Sequence, residues 1–398
     1  TLPRPYGFKV ACFPVKLAHG HAARLAARKD VDFIFLPQLA QAEPNPRTTS
    51  SAYCPYVQAS PAVIRSALSL HGVDASRLLM PVVDLSLWPA MQNRELVAAL
   101  AGPLGVTPAA VRRAWRRAKA DQQEFERLRR EEGLRILRRV EAQGKPAIVI
   151  IGRPYNTLDL GSNLSLPQKI ADLGLTVIPM DMLPCDAQSI SPAFRNMYWA
   201  YGQRILAAAE FVRNHPNLYA IYFTNFSCGP DSFLLSFVDE IMGEKPSLTL
   251  ELDEHGGDAG YLTRIQAFLD VVGAWTPRTQ PPLPLPPPHE SPQALRRRTL
   301  WVPPMHPIGG PIYAAALRSG GLQAEALPLE TRDSFDLGRA LTRGNECLPT
   351  ACTLGSFVHL LRERRLDPDD HALFMPSADG PCRFGQYALL QRLVLNRI

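Results

Sequence analysis

The run Ala147-Ile148-Val149-Ile150-Ile151, followed at once by Gly152-Arg153-Pro154-Tyr155-Asn156, decides the fold class. A short, mostly β-branched apolar run that stops at a glycine and passes into a helical pattern is the repeating unit of a parallel α/β sheet. The same form recurs at 31–36, 78–83, 176–180, 218–224, 300–302 and 372–375. The expectation is an α/β protein of stacked parallel-sheet domains, of the Rossmann or flavodoxin kind.

Working outward, residues 108–143 are rich in Ala, Leu, Arg and Glu and predict a helical insertion before that decisive strand. Residues 276–295 hold Pro281-Pro282-Leu283-Pro284-Leu285-Pro286-Pro287-Pro288, an extended polyproline-like linker. These marks divide the 398 residues into 1–90, a first α/β domain; 91–145, helical; 146–275, a second α/β domain; 276–295, linker; and 296–398, where the plan starts over. The second module ends before a counterpart of Cys228, so it reads as incomplete, and Thr1 in place of methionine suggests a fragment or a processed product.

Net charge is +6, but the arginines between Arg112 and Arg139 alternate with Glu124, Glu126, Glu131, Glu132 and Glu141. That is a solvated helix face rather than a nucleic-acid surface. No apolar run reaches about 18 residues and no secretion signal opens the chain, so neither a membrane span nor export is expected, and the location expected is cytoplasmic. Seven cysteines, odd in number and widely spaced, argue for ligands or buried thiols rather than a disulfide framework.

Five of these cysteines stand beside proline or glycine at the start of a predicted helix: Cys12-Phe13-Pro14, Cys54-Pro55, Cys228-Gly229-Pro230, Cys347-Leu348-Pro349 and Gly380-Pro381-Cys382. A Cys-x-Pro-x5-Gly spacing occurs twice, ending at Gly20 and at Gly355. Helix N-termini favour an anionic thiolate or an anionic metal-sulfur cluster, so the five are read as metal ligands. Three of them, Cys12, Cys54 and Cys228, would leave one iron of a cubane open. Cys185 and Cys352 read as core thiols. Zinc is disfavoured because no Cys-x2-Cys pair is present.

Weaker candidates follow the cysteines. Lys16, His19 and His21 lie on the helix after Cys12, where they either contact a cofactor or form a helix surface. Arg153 and Tyr155 either meet an anion or anchor a loop. Asp231 either caps a helix or acts as a base, and Asp253-Glu254-His255 reads as a solvated turn.

Taken in order, Cys12-Phe13-Pro14-Val15-Lys16-Leu17-Ala18-His19-Gly20-His21, the strand ending Leu36-Pro37, Cys54-Pro55-Tyr56-Val57, Gly152-Arg153-Pro154-Tyr155-Asn156 and Asn225-Phe226-Ser227-Cys228-Gly229-Pro230-Asp231 resemble the 2-hydroxyacyl-CoA dehydratase superfamily. Within it the chain is most similar to the dehydratase-like, DUF2229-bearing part of CoA-substrate-specific enzyme activases of the BadF/BadG type and to double-cubane cluster proteins. Glu346-Cys347-Leu348-Pro349 and Gly380-Pro381-Cys382-Arg383-Phe384-Gly385 resemble a second dehydratase-like part.

The resemblance implies an iron-sulfur cluster, [4Fe-4S] or [8Fe-9S], held by Cys12, Cys54 and Cys228, with Cys347 and Cys382 in a second site or second half-cluster. It implies that Lys16, His19, Arg153 and Tyr155 lie on the cofactor side. It also implies a reductase component, of dehydratase-like lyase or reductase chemistry, which takes low-potential electrons from an ATP-dependent iron-sulfur activase and passes them to a small substrate or acyl-CoA. The alternative is a non-catalytic cluster carrier or activase-docking module of a larger fusion. Dimerisation is left open. The sequence departs from the activase ATPase: no P-loop is present, and Leu158-Asp159-Leu160-Gly161-Ser162 only faintly echoes its nucleotide loop.

Overall fold

The computed structural model describes residues 12–276, 278 and 292–398, so most of the expected 276–295 linker lies outside the described residues. The described residues divide into two units. One comprises 12–191, 197–228 and 241–276, and the other 192–196, 229–240 and 292–398.

In the first unit, α1 (Phe13–Ala26) and α2 (Pro55–Leu70) each begin with proline in the first turn, where its missing N–H costs nothing. They bury Ala22, Ala23, Ile64 and Leu68 against Ile34 of β1 (Ile34–Phe35) and Leu78 of β3 (Leu78–Leu79), a parallel pair. A second parallel pair, β2 (Gln38–Gln41) and β4 (Val82–Asp84), continues each strand after a break. The runs at 31–36 and 78–83 are therefore shorter strands than the sequence suggests. After α3 (Pro89–Leu100), α4 covers Pro108–Gln143, the bounds expected from composition. Thr107 caps it, accepting the Ala110 N–H at 3.2 Å, and Gly144 ends it in the left-handed conformation. Arg117 pairs with Asp121, Arg127 with Glu124 and Glu131, and Arg135 with Glu132, so part of the basic run is neutralised along its own helix.

The remainder of this unit is a four-stranded parallel sheet. Its elements are β5 (Ala147–Gly152), α5 (Pro154–Thr157), α6 (Leu166–Asp172), β6 (Thr176–Pro179), α7 (Ala200–Asn214), β7 (Leu218–Asn225), β8 (Ser247–Leu252) and α9 (Asp258–Ala274), with α8 (Asp231–Met242) between β7 and β8 in the chain. Strand order is β6-β5-β7-β8. Every residue of β5 and β7 is buried, which is why both read as uninterrupted apolar runs. Ile148, Ile150, Ile221 and Phe223 meet Leu166 and Ile170 of α6 and Ile265 and Phe268 of α9 on one face.

The second unit contains most of α8, then α10 (Pro292–Leu295), β9 (Thr299–Val302), α11 (Gly309–Ser319), β10 (Gln323–Ala326), α12 (Arg332–Ala340), α13 (Leu348–Glu363), β11 (His371–Leu373) and α14 (Tyr387–Leu395). Its parallel sheet has the order β10-β9-β11. Leu300 and Val302 pack on Ala314 of α11, and Trp301 packs on Phe357 and Leu360 of α13, so both faces of β9 are covered. This is the plan of β6-β5-β7 repeated: the first strand is central, the second lies on one side and the third on the other. The chain is α/β throughout, as its strand pattern requires.

Helices α12 and α13 cross at backbone contact. A Cβ on Gly338 would lie 1.8 Å from the Ala351 carbonyl oxygen, and one on Gly355 would lie 1.8 Å from that of Ser334. The glycine that ends the second Cys-x-Pro-x5-Gly spacing is thus required by packing. Gly355→Ala should destabilise the second unit by about 1–3 kcal/mol through overpacking, seen as a lower urea midpoint by tryptophan fluorescence. Gly320→Ala, where the nearest atom is an ordinary 3.4 Å away, should leave the midpoint in place.

Candidate cysteine site at the carboxyl edge of the sheet

The chain leaves β5 for β6 on one side and later returns as β7 on the other, so the carboxyl ends of β5 and β7 flank the point where strand order reverses. Ligands of open α/β sheets bind in that crevice. The last β5–β7 pair sets Gly152 opposite Phe223. Gly152 has φ 152°, and a Cβ there would stand 2.5 Å from the Phe223 carbonyl oxygen, so only glycine fits. This turn delivers Arg153, the N-cap of α5, into a buried position with 3% exposure. Its Nη1 donates to the Cys228 sulfur at 3.5 Å.

Cys228 is held from the β7 side. The Asn225 carbonyl accepts the Cys228 N–H at 3.0 Å, and the Asn225 side chain donates to the Leu252 carbonyl at the end of β8. Ser227 between them adopts φ 62°, an uncommon conformation for a residue with a Cβ. A buried guanidinium against sulfur favours an anionic thiolate or a sulfur carrying cluster charge.

The loop after α5 is also strained, with Leu164 and Ser165 both at positive φ. Ser162 donates its hydroxyl to the Tyr155 carbonyl and its N–H to Asp159 Oδ1, while Asn163 donates to the Asn156 carbonyl. The stretch that faintly echoes a nucleotide loop therefore spends these donors internally. Both polar atoms of the Asn156 side chain and Oδ1 of Asn163 are fully buried without a protein partner. Such atoms are costly unless a ligand or water meets them.

Cys12 and Cys54 are the N-caps of α1 and α2, with φ/ψ of −61°/152° and −64°/154°. The Cys54 sulfur accepts the Val57 N–H at 3.4 Å. Two anchors tie these caps to the four-stranded sheet and its helices. Lys16, one turn after Cys12, forms an ion pair with Glu254, two residues beyond β8, and that ammonium holds the Glu254 carboxyl below its ordinary range. Ala52, two residues before Cys54, exchanges backbone hydrogen bonds with the Tyr198–Ala200 stretch at 2.7 and 2.9 Å. His19 is buried, which lowers its pKa and keeps the imidazole neutral, while His21 is exposed.

The second unit repeats the device. Cys347 caps α13 at −63°/139°, and Cys382 precedes a short 3₁₀ turn at −69°/137°. Arg383 reaches from Cys382 to the Asn345 carbonyl at 3.3 Å and to Ser232 Oγ at 3.1 Å, drawing together the segments that carry Cys347 and Cys382. Burial, followed by the neighbouring Cys347 thiol, pushes the Tyr387 phenol up. By topology Cys382, beyond the third strand β11, takes the place in its sheet that Cys228 takes beyond β7, so the second sheet does hold a counterpart of Cys228, contrary to the expectation from sequence.

Of the remaining candidates, Asp231 is buried at the start of α8 and Tyr155 is half-buried in α5. Asp253 Oδ1 accepts the His255 N–H in an exposed turn. Burial pushes the Cys185 thiol up to about 12 and raises that of Cys352, so both stay protonated. Among the described residues no three or more His, Cys, Asp or Glu side chains gather around a single metal-ion position. Gln203, whose part is described below, gave no motif signal because its side chain acts through contacts with residues 45–50, far away in sequence.

Residues 7–183 match the family model described as the CoA enzyme activase uncharacterised domain (DUF2229). The matched stretch contains Cys12, Cys54 and Arg153 and ends before Cys228. No curated protein and no solved structure matches.

Replacing Arg153 by methionine keeps the bulk and removes the charge. Cys228 should then react several-fold more slowly with iodoacetamide at pH 7, resolved by peptide mass spectrometry, while Cys54 should keep its rate. An unchanged Cys228 rate would deny the guanidinium any influence on that sulfur.

Proposed function

We propose that the chain is an iron-sulfur component of a CoA-linked, activase-dependent system, taking low-potential electrons from an ATP-hydrolysing partner and passing them to a small substrate or acyl-CoA. The observation that carries this reading is the placement of the cysteines. Cys12, Cys54, Cys347 and Cys382 all stand in one extended backbone conformation at the first residue before a helical turn. Two other helices start at ordinary caps, Thr107 and Thr331, which accept N–H groups through their hydroxyls, while α3, α7, α9 and α11 start at Trp88, Trp199, Gly257 and Ile308 with no side-chain cap. A thiol is a poor substitute for a hydroxyl as a cap, so helix stability does not account for four cysteines there.

The donor set suits a cluster better than a single ion. Thiolates alone would hold it, backbone N–H groups of the first helical turns would donate toward its sulfides, and Arg153 would offset its negative charge beside Cys228. Cys12, Cys54 and Cys228 would hold it in the first unit, with Cys347 and Cys382 available in the second. Such a group supplies one-electron transfer at low potential. The activase context is supported by the DUF2229 match over 7–183.

Anaerobic reconstitution with iron and sulfide should give a brown protein containing both elements. Cys12→Ala, Cys54→Ala and Cys228→Ala should each lower bound iron by more than half, and Cys185→Ala should leave it unchanged. Iron loss confined to the Cys185 variant, or a colourless wild type, would defeat the reading. Calorimetry should show no tight ATP binding by the chain alone, since ATP hydrolysis belongs to the partner.

A further inference from the structure

The middle of α4 does not pack as a surface helix should. Its buried residues are Val111 near one end and Gly133, Leu137 and Val140 near the other. Gly133 fixes the far end, because a Cβ there would lie 1.7 Å from the Met182 carbonyl oxygen. Between these anchors the helix crosses a pocket of about 570 Å³, within the usual range for small-molecule sites. The stripe it turns inward is Trp115, Lys119, Gln122, Glu126 and Arg130, spaced three or four residues apart and polar where a core-facing stripe would be apolar.

The rest of the lining includes Tyr53, Tyr201, Arg204 and Asp181. Asp181 is the informative residue. Its side chain is 1% exposed; Oδ1 accepts from Arg204 at 2.5 Å, and Oδ2 is buried with no partner. A half-satisfied buried carboxylate calls for a donor. On α4 the Trp115 indole N–H is likewise buried without a partner and calls for an acceptor. Burial pushes the Tyr201 phenol up to about 12 and raises that of Tyr53, so both rings are neutral near pH 7. Arg204 already lies over the Tyr201 ring, 5.8 Å from its centroid. The lining cations are Lys119, Arg129, Arg130 and Arg204; the lining acids are Glu43, Glu126, Asp181 and Asp186. The charges balance, which disfavours a polyanion such as a nucleotide diphosphate.

From this arrangement we infer a binding site for a small zwitterion of amino-acid or dipeptide type. Its ammonium group is taken by Asp181 Oδ2, and its carboxylate by Lys119 and Arg130 on α4. Nothing in the assignment depends on a cluster being bound.

The full chain is screened by saturation-transfer NMR against the twenty amino acids and glycylglycine, with ATP and CoA alongside, and hits are measured by calorimetry. At least one zwitterion should bind with a Kd of about 1 mM or tighter, and Arg130→Ala and Asp181→Asn should each weaken it about tenfold or more. Arg130 is exposed on α4, so its variant decides the matter even if loss of the buried Asp181 charge impairs folding. The site is wrongly assigned if no zwitterion binds at about 10 mM, if Arg130→Ala binds as wild type does, or if ATP or CoA is the probe whose binding Arg130→Ala removes.

Discussion

Six backbone pairs between β5 and β7 govern the geometry of the candidate site, and the last of them, Gly152 with Phe223, is decisive. Both strands are buried on both faces, so neither can slip by one residue without moving a whole set of side chains into the wrong layer. Register fixed in the core is therefore register fixed at the carboxyl edge. There the absent Cβ of Gly152 lets the strands stay close to their ends, and the next residues outward are Arg153 and, beyond Asn225, Cys228. The guanidinium–sulfur contact is a consequence of core packing some ångströms away.

The same logic explains why strain gathers where it does. Ser227, Leu164 and Ser165 hold positive φ, and all three lie in connections leaving β5 or β7. Each such residue costs on the order of 1 kcal/mol or more, a cost the buried strands can absorb. Sheets of this order leave their reversal point open, and the chain fills its edge with a cation, a sulfur and buried amides rather than apolar side chains.

What the sequence disclosed follows from how each element is stabilised. Central strands β5, β7 and β9 and the helix α4 were legible because burial on two faces, or a long run of helix-forming residues, writes itself into local composition. Strands β2 (Gln-Leu-Ala-Gln), β8 (Ser-Leu-Thr-Leu-Glu-Leu) and β10 (Gln-Ala-Glu-Ala) were not, because edge strands with one covered face mix polar and apolar residues, and only their pairing identifies them. The helix-start position of the cysteines was legible from neighbouring proline. The partners of the site were not: Glu254 stands 238 residues from Lys16, and Arg153 stands 75 from Cys228. Lys16, read as either a cofactor contact or part of a helix surface, forms an ion pair with that acid.

Helix α7 joins features that look unrelated in sequence. Gln203, fully buried, accepts from Asn45 and donates toward Thr48 and the Ser50 carbonyl, so one amide organises the loop that leads into Cys54. Its neighbour Arg204 turns to the pocket beneath α4 and holds Asp181. Unsatisfied buried polar groups cost about 1–3 kcal/mol each, so the amide of Gln203 stabilises the loop mainly by leaving none behind. Tyr53 closes the circuit: it lines the pocket, packs on Tyr201 at 6.0 Å, and is bonded covalently to Cys54. The backbone that positions the Cys54 cap is thus the same backbone that forms one wall of the polar pocket, and neither can shift without the other.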